Sequence, residues 1–427
     1  LFFISIASLT FVYKRKTKVV RLPPGPKGCP VFGFLPMLGN NHHTLFRDLA
    51  KTYGPIVGVK FGTSYIVVLN DFASIKEALC HKALQSRTKS VLLEESGCPG
   101  IATLNGQSWS DNRSLSLRLL RGLGWGTSTM ESDIKEEARC LVEVFTALNG
   151  APILIRKYSM SSISNYITRL LFGVRYEYDD PVRVRLNTWF NSTGKLLSQR
   201  TLVLSIPAGL YKILGWIPFT DRRVVRSAMG KLVNFVREQI QKHQSASHDH
   251  MGGDYIDGYL KKITEYKSIS KTSISLEYLP GNLLNLFGAG TNSLNRSLAW
   301  HLLLCADQPE TLQRKIQNEI DDVVGRERQP SWEDSHKMPF TMASIREMQR
   351  WKTVMPLGIP RSSDQEILIG GYVIPKGAVV MANLWAVHMD PNLWKSPEKF
   401  DPARFLDERT LRLMPKPEHL IPFSIGD

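Results

Sequence analysis

The chain opens on a run of almost entirely apolar residues, Leu1 to Tyr13, with the basic cluster Lys14-Arg15-Lys16-Thr17-Lys18 directly behind it. As a helix, thirteen residues span about 20 Å against a hydrocarbon core of about 30 Å. The chain also starts with Leu, so we expect residues 1–21 to be a signal anchor clipped at its amino end. Its charges stand behind the apolar run instead of preceding it, which argues against a cleaved signal peptide and places the rest of the chain on the cytoplasmic side. Leu22-Pro23-Pro24-Gly25-Pro26 is too proline-dense for helix or sheet interior and predicts a stiff hinge over 22–30. Two apolar runs, Ile56 to Phe61 and Tyr65 to Leu69, joined through Gly62-Thr63-Ser64, predict a hairpin. A second hairpin is predicted at Ile367 to Ile374 around Gly370-Gly371. Most of the remainder has helical period, as in the stripe Leu312, Ile316, Ile320 and Val323 that ends at Gly325. Leu283 to Leu304 is long and apolar but interrupted by Gly288-Ala289-Gly290-Thr291, and reads as a buried core helix. Leu202 to Phe219, broken by Pro207, Gly209 and Pro218, reads as a buried connection or as a surface patch that dips into a membrane, and the expected anchor favours membrane contact. We expect a mainly α fold, one domain over 31–427, with a smaller β-rich lobe near the amino end.

Composition narrows the class. An apolar content of 43% with 22% charged residues fits an ordered globular chain. The net charge of +15 raises nucleic acid as a partner, but no zinc spacing, RNA-binding signature or basic helix with heptads accompanies it. The excess suits a juxtamembrane cluster and a face for an acidic protein partner. Five scattered cysteines, with no Cys-x-x-Cys pair, predict free thiols in a reducing compartment. His243, His248 and His250 lie in a polar, Gly-rich segment, Ser245 to Gly258 and its approach; without Cys or a carboxylate frame we read a solvated loop, not a metal site. Three sequons, at Asn112, Asn191 and Asn295, carry no functional weight on the cytoplasmic side.

Four stretches carry chemistry. Glu347 and Arg350 are three apart on a predicted helix and share a face. Some fifty residues on stands Pro402-Ala403-Arg404-Phe405, and then Pro422-Phe423-Ser424-Ile425-Gly426-Asp427. Trp109-Ser110-Asp111-Asn112-Arg113 places an indole N–H and a guanidinium at i and i+4, where both can converge on one carboxylate. In this order and spacing the chain resembles the cytochrome P-450 family, microsomal type, over nearly its whole length. Tyr53-Gly54-Pro55-Ile56 and Asn165 to Phe172-Gly173 add to the resemblance.

The resemblance implies a haem-thiolate monooxygenase with haem b (iron protoporphyrin IX). It implies that Glu347, Arg350 and Arg404 form a buried structural brace. It further implies that Trp109, Arg113 and Arg361 bind haem propionates, and that Ala289, Gly290 and Phe423 contact the cofactor. The family's ligand pattern is Phe-Ser-x-Gly-x-Arg-x-Cys-x-Gly, whose Cys falls three positions past Asp427, so no metal ligand is assigned within the chain and we expect it to be truncated there as well. The family's acid–alcohol pair falls on Asn292 and Ser293, the candidate catalytic residues. Serine keeps a hydroxyl, but asparagine cannot ionise and cannot itself relay a proton. Phe287, Ala289, Leu357 and Ile359 are the candidate substrate contacts and imply a lipophilic small molecule. Electrons are expected from NADPH through NADPH–cytochrome P-450 reductase, with cytochrome b5 as a second donor, docking on a basic helix with Arg113, Arg118 and Arg121. Membrane lipid is a further expected partner; nucleic acid is not. The expected location is the endoplasmic reticulum membrane. Two other readings stay open: a fold relative that isomerises or dehydrates peroxides without a reductase, which Asn292 favours, and an inactive truncated product without the axial thiolate.

Overall fold

The computed structural model describes residues 21–39, 41–62, 64–88, 97–199, 222–245, 253–266 and 273–425. The predicted anchor and the Leu202 to Phe219 patch lie outside the described residues. Among the described residues no helix is long and apolar enough to cross a membrane.

Helices dominate. They are α1 (His42–Tyr53), α2 (Phe72–Leu79), α3 (Gly106–Gly122), α4 (Ser128–Ala147), α5 (Ile155–Phe172), α6 (Pro181–Gln199), α7 (Arg222–Ser245) and α8 (Tyr255–Tyr266), then α9 (Leu279–Asp307), α10 (Arg314–Val323), α11 (Pro339–Trp351) and α12 (Leu384–His388). The strands are β1 (Ile56–Phe61), β2 (Ser64–Leu69), β3 (Arg361–Ser362), β4 (Ile367–Ile369), β5 (Tyr372–Ile374) and β6 (Val379–Ala382). Both predicted hairpins form. β1 and β2 pair antiparallel with Phe61 opposite Ser64. β4 and β5 close through Gly370 and Gly371, both at positive φ (55° and 78°), the backbone that a two-residue turn matching strand twist requires.

The β lobe is assembled from both ends of the chain. Its four-stranded sheet runs β1-β2-β6-β3, so strands from residues 56–69 pair with strands from residues 361–382. Alternation along β1 and β2 sends Val57, Val59, Ile66 and Val68 to one face and Ile56, Val67 and Leu69 to the other, and each face has its own buried cluster. The larger core gathers residues of α3, α5, α6, α7, α8 and α9, with Phe172, Phe190 and Phe287 in edge-to-face contact.

The proline-rich stretch expected as a hinge is instead fastened to the sheet. Gly58 N–H donates to Pro24 O (2.8 Å), Tyr65 Oη to Pro23 O (2.9 Å) and Val373 N–H to Arg21 O (3.0 Å). Gly25 and Gly58 make this approach possible: a Cβ on Gly25 would fall 1.8 Å from Gly58 O. Extended, donor-poor backbone is well suited to lie along a strand, which is why proline density produces a strap here and not a free joint.

Candidate active site

Three guanidinium groups come together where the sheet edge meets α3. Arg361 sits on β3, and the segment Gln85 to Arg87 bridges to it antiparallel; Ser362 N–H donates to Ser86 O (2.9 Å) and Arg361 Nη1 to Gln85 O (3.4 Å). Asn105, just ahead of α3, clasps Arg87 from the other side. Its Oδ1 accepts Arg87 N–H (2.6 Å) and its Nδ2 donates to Arg87 O (3.2 Å). One turn into α3 lies Trp109, with the Arg113 guanidinium 5.5 Å from the indole centroid, as the i, i+4 spacing dictates. The opposite side of α3 is fixed by Asn112, which is fully buried; its Oδ1 accepts from Asn282 Nδ2 (2.9 Å) and Tyr259 Oη (2.7 Å).

The electrostatics of this corner are unbalanced. Burial, then repulsion from Arg361 and Arg113, pushes the Arg87 guanidinium down to about 10. Arg361 is lowered by burial and by Arg113. Among the described residues none of the three forms an ion pair with a carboxylate, and Arg87 Nη1 is buried with no hydrogen-bond partner. Arg87 and Arg361, partly desolvated beside the exposed Arg113, are cations that repel until an anion joins them, and the guanidinium fork favours a carboxylate. The residues present therefore fit the propionates of a haem. Arg87 escaped sequence reasoning because it carries no motif of its own; only strand pairing with the remote Arg361 brings it in.

Helix α9 has two unlike faces. Leu283, Phe287, Thr291 and Asn295 are buried at i, i+4 steps, on the side that meets α5, where Ser159 Oγ donates to Asn295 Oδ1 (2.6 Å). Ala289 and Ser293 are exposed about half a turn away. The expected core helix runs unbroken through Gly288 to Thr291, and Ser293 Oγ donates to Ala289 O (2.6 Å), holding the hydroxyl on that carbonyl. Gly290 has a packing reason as well, since a Cβ there would lie 3.0 Å from Ile167 Cδ1 of α5. Asn292 is half-buried.

Two predicted substrate contacts need correction. Phe287 is fully buried against Phe190 (ring centroids 4.3 Å) and Phe172 (5.7 Å); two residues from Ala289 on a helix, it points nearly the opposite way. Leu357 is 2% exposed and packs into the sheet core with Val57 and Phe61. Ile359 is 56% exposed and Phe423 84% exposed, so neither is used by the core.

The acidic residue and two arginines expected as a brace do meet. Glu347 and Arg350 are fully buried on α11. Glu347 accepts from Arg350 Nε and Nη2 (both 2.7 Å), from Arg404 Nε (3.0 Å) and from Asp401 N–H (2.9 Å). Arg350 also donates to the carbonyls of His388 (2.8 Å), Pro397 (2.7 Å) and Lys399 (3.0 Å), with its guanidinium carbon 5.4 Å from the Trp394 ring centroid. One carboxylate shared by two guanidinium groups, with the remaining donors on carbonyls, is the arrangement in which a buried charge cluster is tolerable. It ties α11 to the segment 388–405, and so to the approach of Phe423.

His243, read as part of a solvated loop, has a carboxylate frame after all. It lies in the last turn of α7, its Nδ1–H donates to Gln239 O (2.7 Å), and its Nε2 pairs with Asp254 Oδ2 (2.7 Å), with Asp257 also within reach. The hydrogen bond to Asp254 pushes its pKa up to about 9, against burial. Asp254 also accepts Asp257 N–H (3.0 Å), so the pair caps α8. His248 and His250 lie outside the described residues.

The site therefore combines a mainly helical domain, an arginine corner that among the described residues lacks a carboxylate, and a buried Glu347–Arg350–Arg404 brace. The family model for Cytochrome P450 matches residues 23–427. Cytochrome P450 2J2 of Homo sapiens is 34% identical over 424 residues, covering 97% of this chain and 82% of that protein. Cytochrome P450 2C3 of Oryctolagus cuniculus is 31% identical over 427 residues (99% and 86%), and Cytochrome P450 2C23 of Rattus norvegicus 33% over 431 residues (99% and 85%). The chain belongs to the cytochrome P450 family, whose members are haem monooxygenases, oxidoreductases that incorporate one oxygen atom from O2.

Proposed function

We propose that this protein, with haem bound, oxygenates a lipophilic organic substrate with electrons that NADPH supplies through a flavoprotein reductase. The observation that carries the cofactor half of this reading is the unpaired Arg87–Arg113–Arg361 corner with its orphaned Arg87 Nη1. When bound, the haem supplies the redox-active iron that activates dioxygen. Arg87, Arg113, Arg361 and the Trp109 indole N–H hold its propionates and thereby set its orientation. Ala289 and Ile359, exposed and apolar, are the remaining candidates to touch substrate, which supports a lipophilic one. Ser293 holds a proton donor on the open face of α9, and Asn292 can orient a water beside it without ionising.

Surface character bears on partner and location. Arg118 and Arg121 are exposed on α3, one helix surface that suits an acidic electron donor, the reductase or cytochrome b5. Leu22, Val31, Phe32 and Met37 are exposed apolar side chains near the amino end (43%, 80%, 50% and 45%), which supports contact with the endoplasmic reticulum membrane, the domain lying on its cytoplasmic side. Reconstitution of the full-length holoprotein with reductase in vesicles tests this: NADPH consumption should rise with a lipophilic substrate and yield an oxygenated product. No reductase-dependent product from any lipophilic panel member would refute it. Asn292 favours a second reading, isomerisation or dehydration of an organic peroxide. Turnover of a hydroperoxide without NADPH or reductase would establish that reading instead.

A further inference from the structure

His388, the last residue of α12, stands between the brace and the loop that leads to Phe423, and its ring belongs to neither the arginine corner nor the open face of α9. It is fully buried. Its Nε2 lies 3.0 Å from Ile421 N, and a backbone N–H can only donate, so Nε2 must accept. The proton therefore sits on Nδ1, which donates to Thr353 Oγ1 (2.7 Å); Thr353 in turn donates to Arg350 O (3.0 Å). The carbonyl of His388 accepts Arg350 Nη1 (2.8 Å), so one residue touches the brace through its backbone and through its ring. On the far side, Ser424 N–H donates to Ile421 O (3.0 Å), closing the turn on which Phe423 sits, with Ser424 at φ 72°.

We propose that His388 is a positioning residue: as a neutral ring of fixed tautomer, it sets the height of the Ile421 to Ser424 turn against the Glu347–Arg350 brace. Only an acceptor aimed at Ile421 with a donor aimed back at Thr353 satisfies both ends, and an imidazole offers the two about 2 Å apart in one rigid plane. Its surroundings keep it so: burial first, then Arg350, His419 and Lys416, push its pKa down to about 3. A cationic ring would turn a second N–H onto the Ile421 N–H. The inference rests on the reading that this turn leads into the haem-ligand loop, so one readout is chosen that does not depend on it.

Hydrogen exchange of the Ile421 amide, with β2 amides as internal reference, tests the contact itself. The Soret position of the reduced, CO-bound full-length holoprotein tests its consequence, because it distinguishes thiolate from other axial ligation. His388→Leu should raise Ile421 exchange roughly tenfold or more, the cost of leaving a buried N–H unpaired, and move part of the Soret band away from the thiolate position. His388→Gln, which can place its amide oxygen where Nε2 was, should keep both readings near wild type. Wild-type exchange and spectrum in His388→Leu would overturn the proposal. If His388→Leu does not fold, His388→Gln decides: native exchange at Ile421 supports the acceptor role, and fast exchange in a folded His388→Gln overturns it. A wild-type holoprotein with no thiolate band would sink the haem-loop reading while leaving the exchange test of His388 intact.

Discussion

Glu347→Ala removes the acceptor at the centre of the brace. Four donors lose it: Nε and Nη2 of Arg350, Nε of Arg404 and the Asp401 amide. Arg404 has a partly open side chain (10% exposed) and carbonyl partners at Lys395 and Lys399, so it can recover some solvation. Arg350 is at 0% and cannot; it keeps three carbonyls but no counter-charge. Stranding a buried cation in this way costs about 3–5 kcal/mol, against a total folding stability of about 5–15 kcal/mol. For a chain of this size that loss lowers the thermal midpoint by roughly 3–6 °C. Glu347→Gln preserves volume and an acceptor oxygen but no charge, and should fall between, at about 1.5–3 kcal/mol. Exposed Glu366→Ala is the control and should stay within about 0.5 kcal/mol. Thermal unfolding by circular dichroism, with haem content measured in parallel, is the assay. A Glu347→Ala protein that melts with wild type and retains full haem would show that the carboxylate is not what holds α11 to the 388–405 segment.

Arg87→Ala in the holoprotein should speed haem transfer to excess apomyoglobin about tenfold or more, in the same range as Arg113→Ala and Arg361→Ala, since each removes one charge-assisted donor; an unchanged rate would remove Arg87 from the cofactor corner. Ser293→Ala should raise the share of NADPH lost as hydrogen peroxide, and Asn292→Asp should lower it; identical coupling in both variants would mean that protons do not pass through this pair. His243 is raised from 6.5 to about 9 by Asp254, so its pairing stabilises the fold fully below about pH 6.5 and loses that contribution as pH rises through about 9. The melting-temperature gap between wild type and Asp254→Asn should accordingly shrink toward zero by about pH 10, and a gap independent of pH would rule out a protonated His243.

What the sequence determined is what depends on neighbours a few residues apart. The two hairpins come from alternating apolar runs around glycine, and the shared face of Glu347 and Arg350 comes from helical spacing alone. Trp109 and Arg113 stack for the same local reason. Family membership was legible too, because the order of several such local motifs is itself a sequence property. Tertiary structure decided which side of an apolar helix faces in. Phe287 and Ala289 are two residues apart and equally apolar, yet only packing against α5 and α6 buries one and leaves the other open. It turned the proline-rich hinge into a strap, because Gly25 has no Cβ to meet the Gly58 carbonyl and Gly58 none to meet Pro23 O. It placed carboxylates around His243, and it brought Arg87 to Arg361 through a strand pairing that no local pattern announces. Contacts of that kind are set by which surfaces the whole chain can bury together, a quantity that belongs to the fold and to no stretch of it.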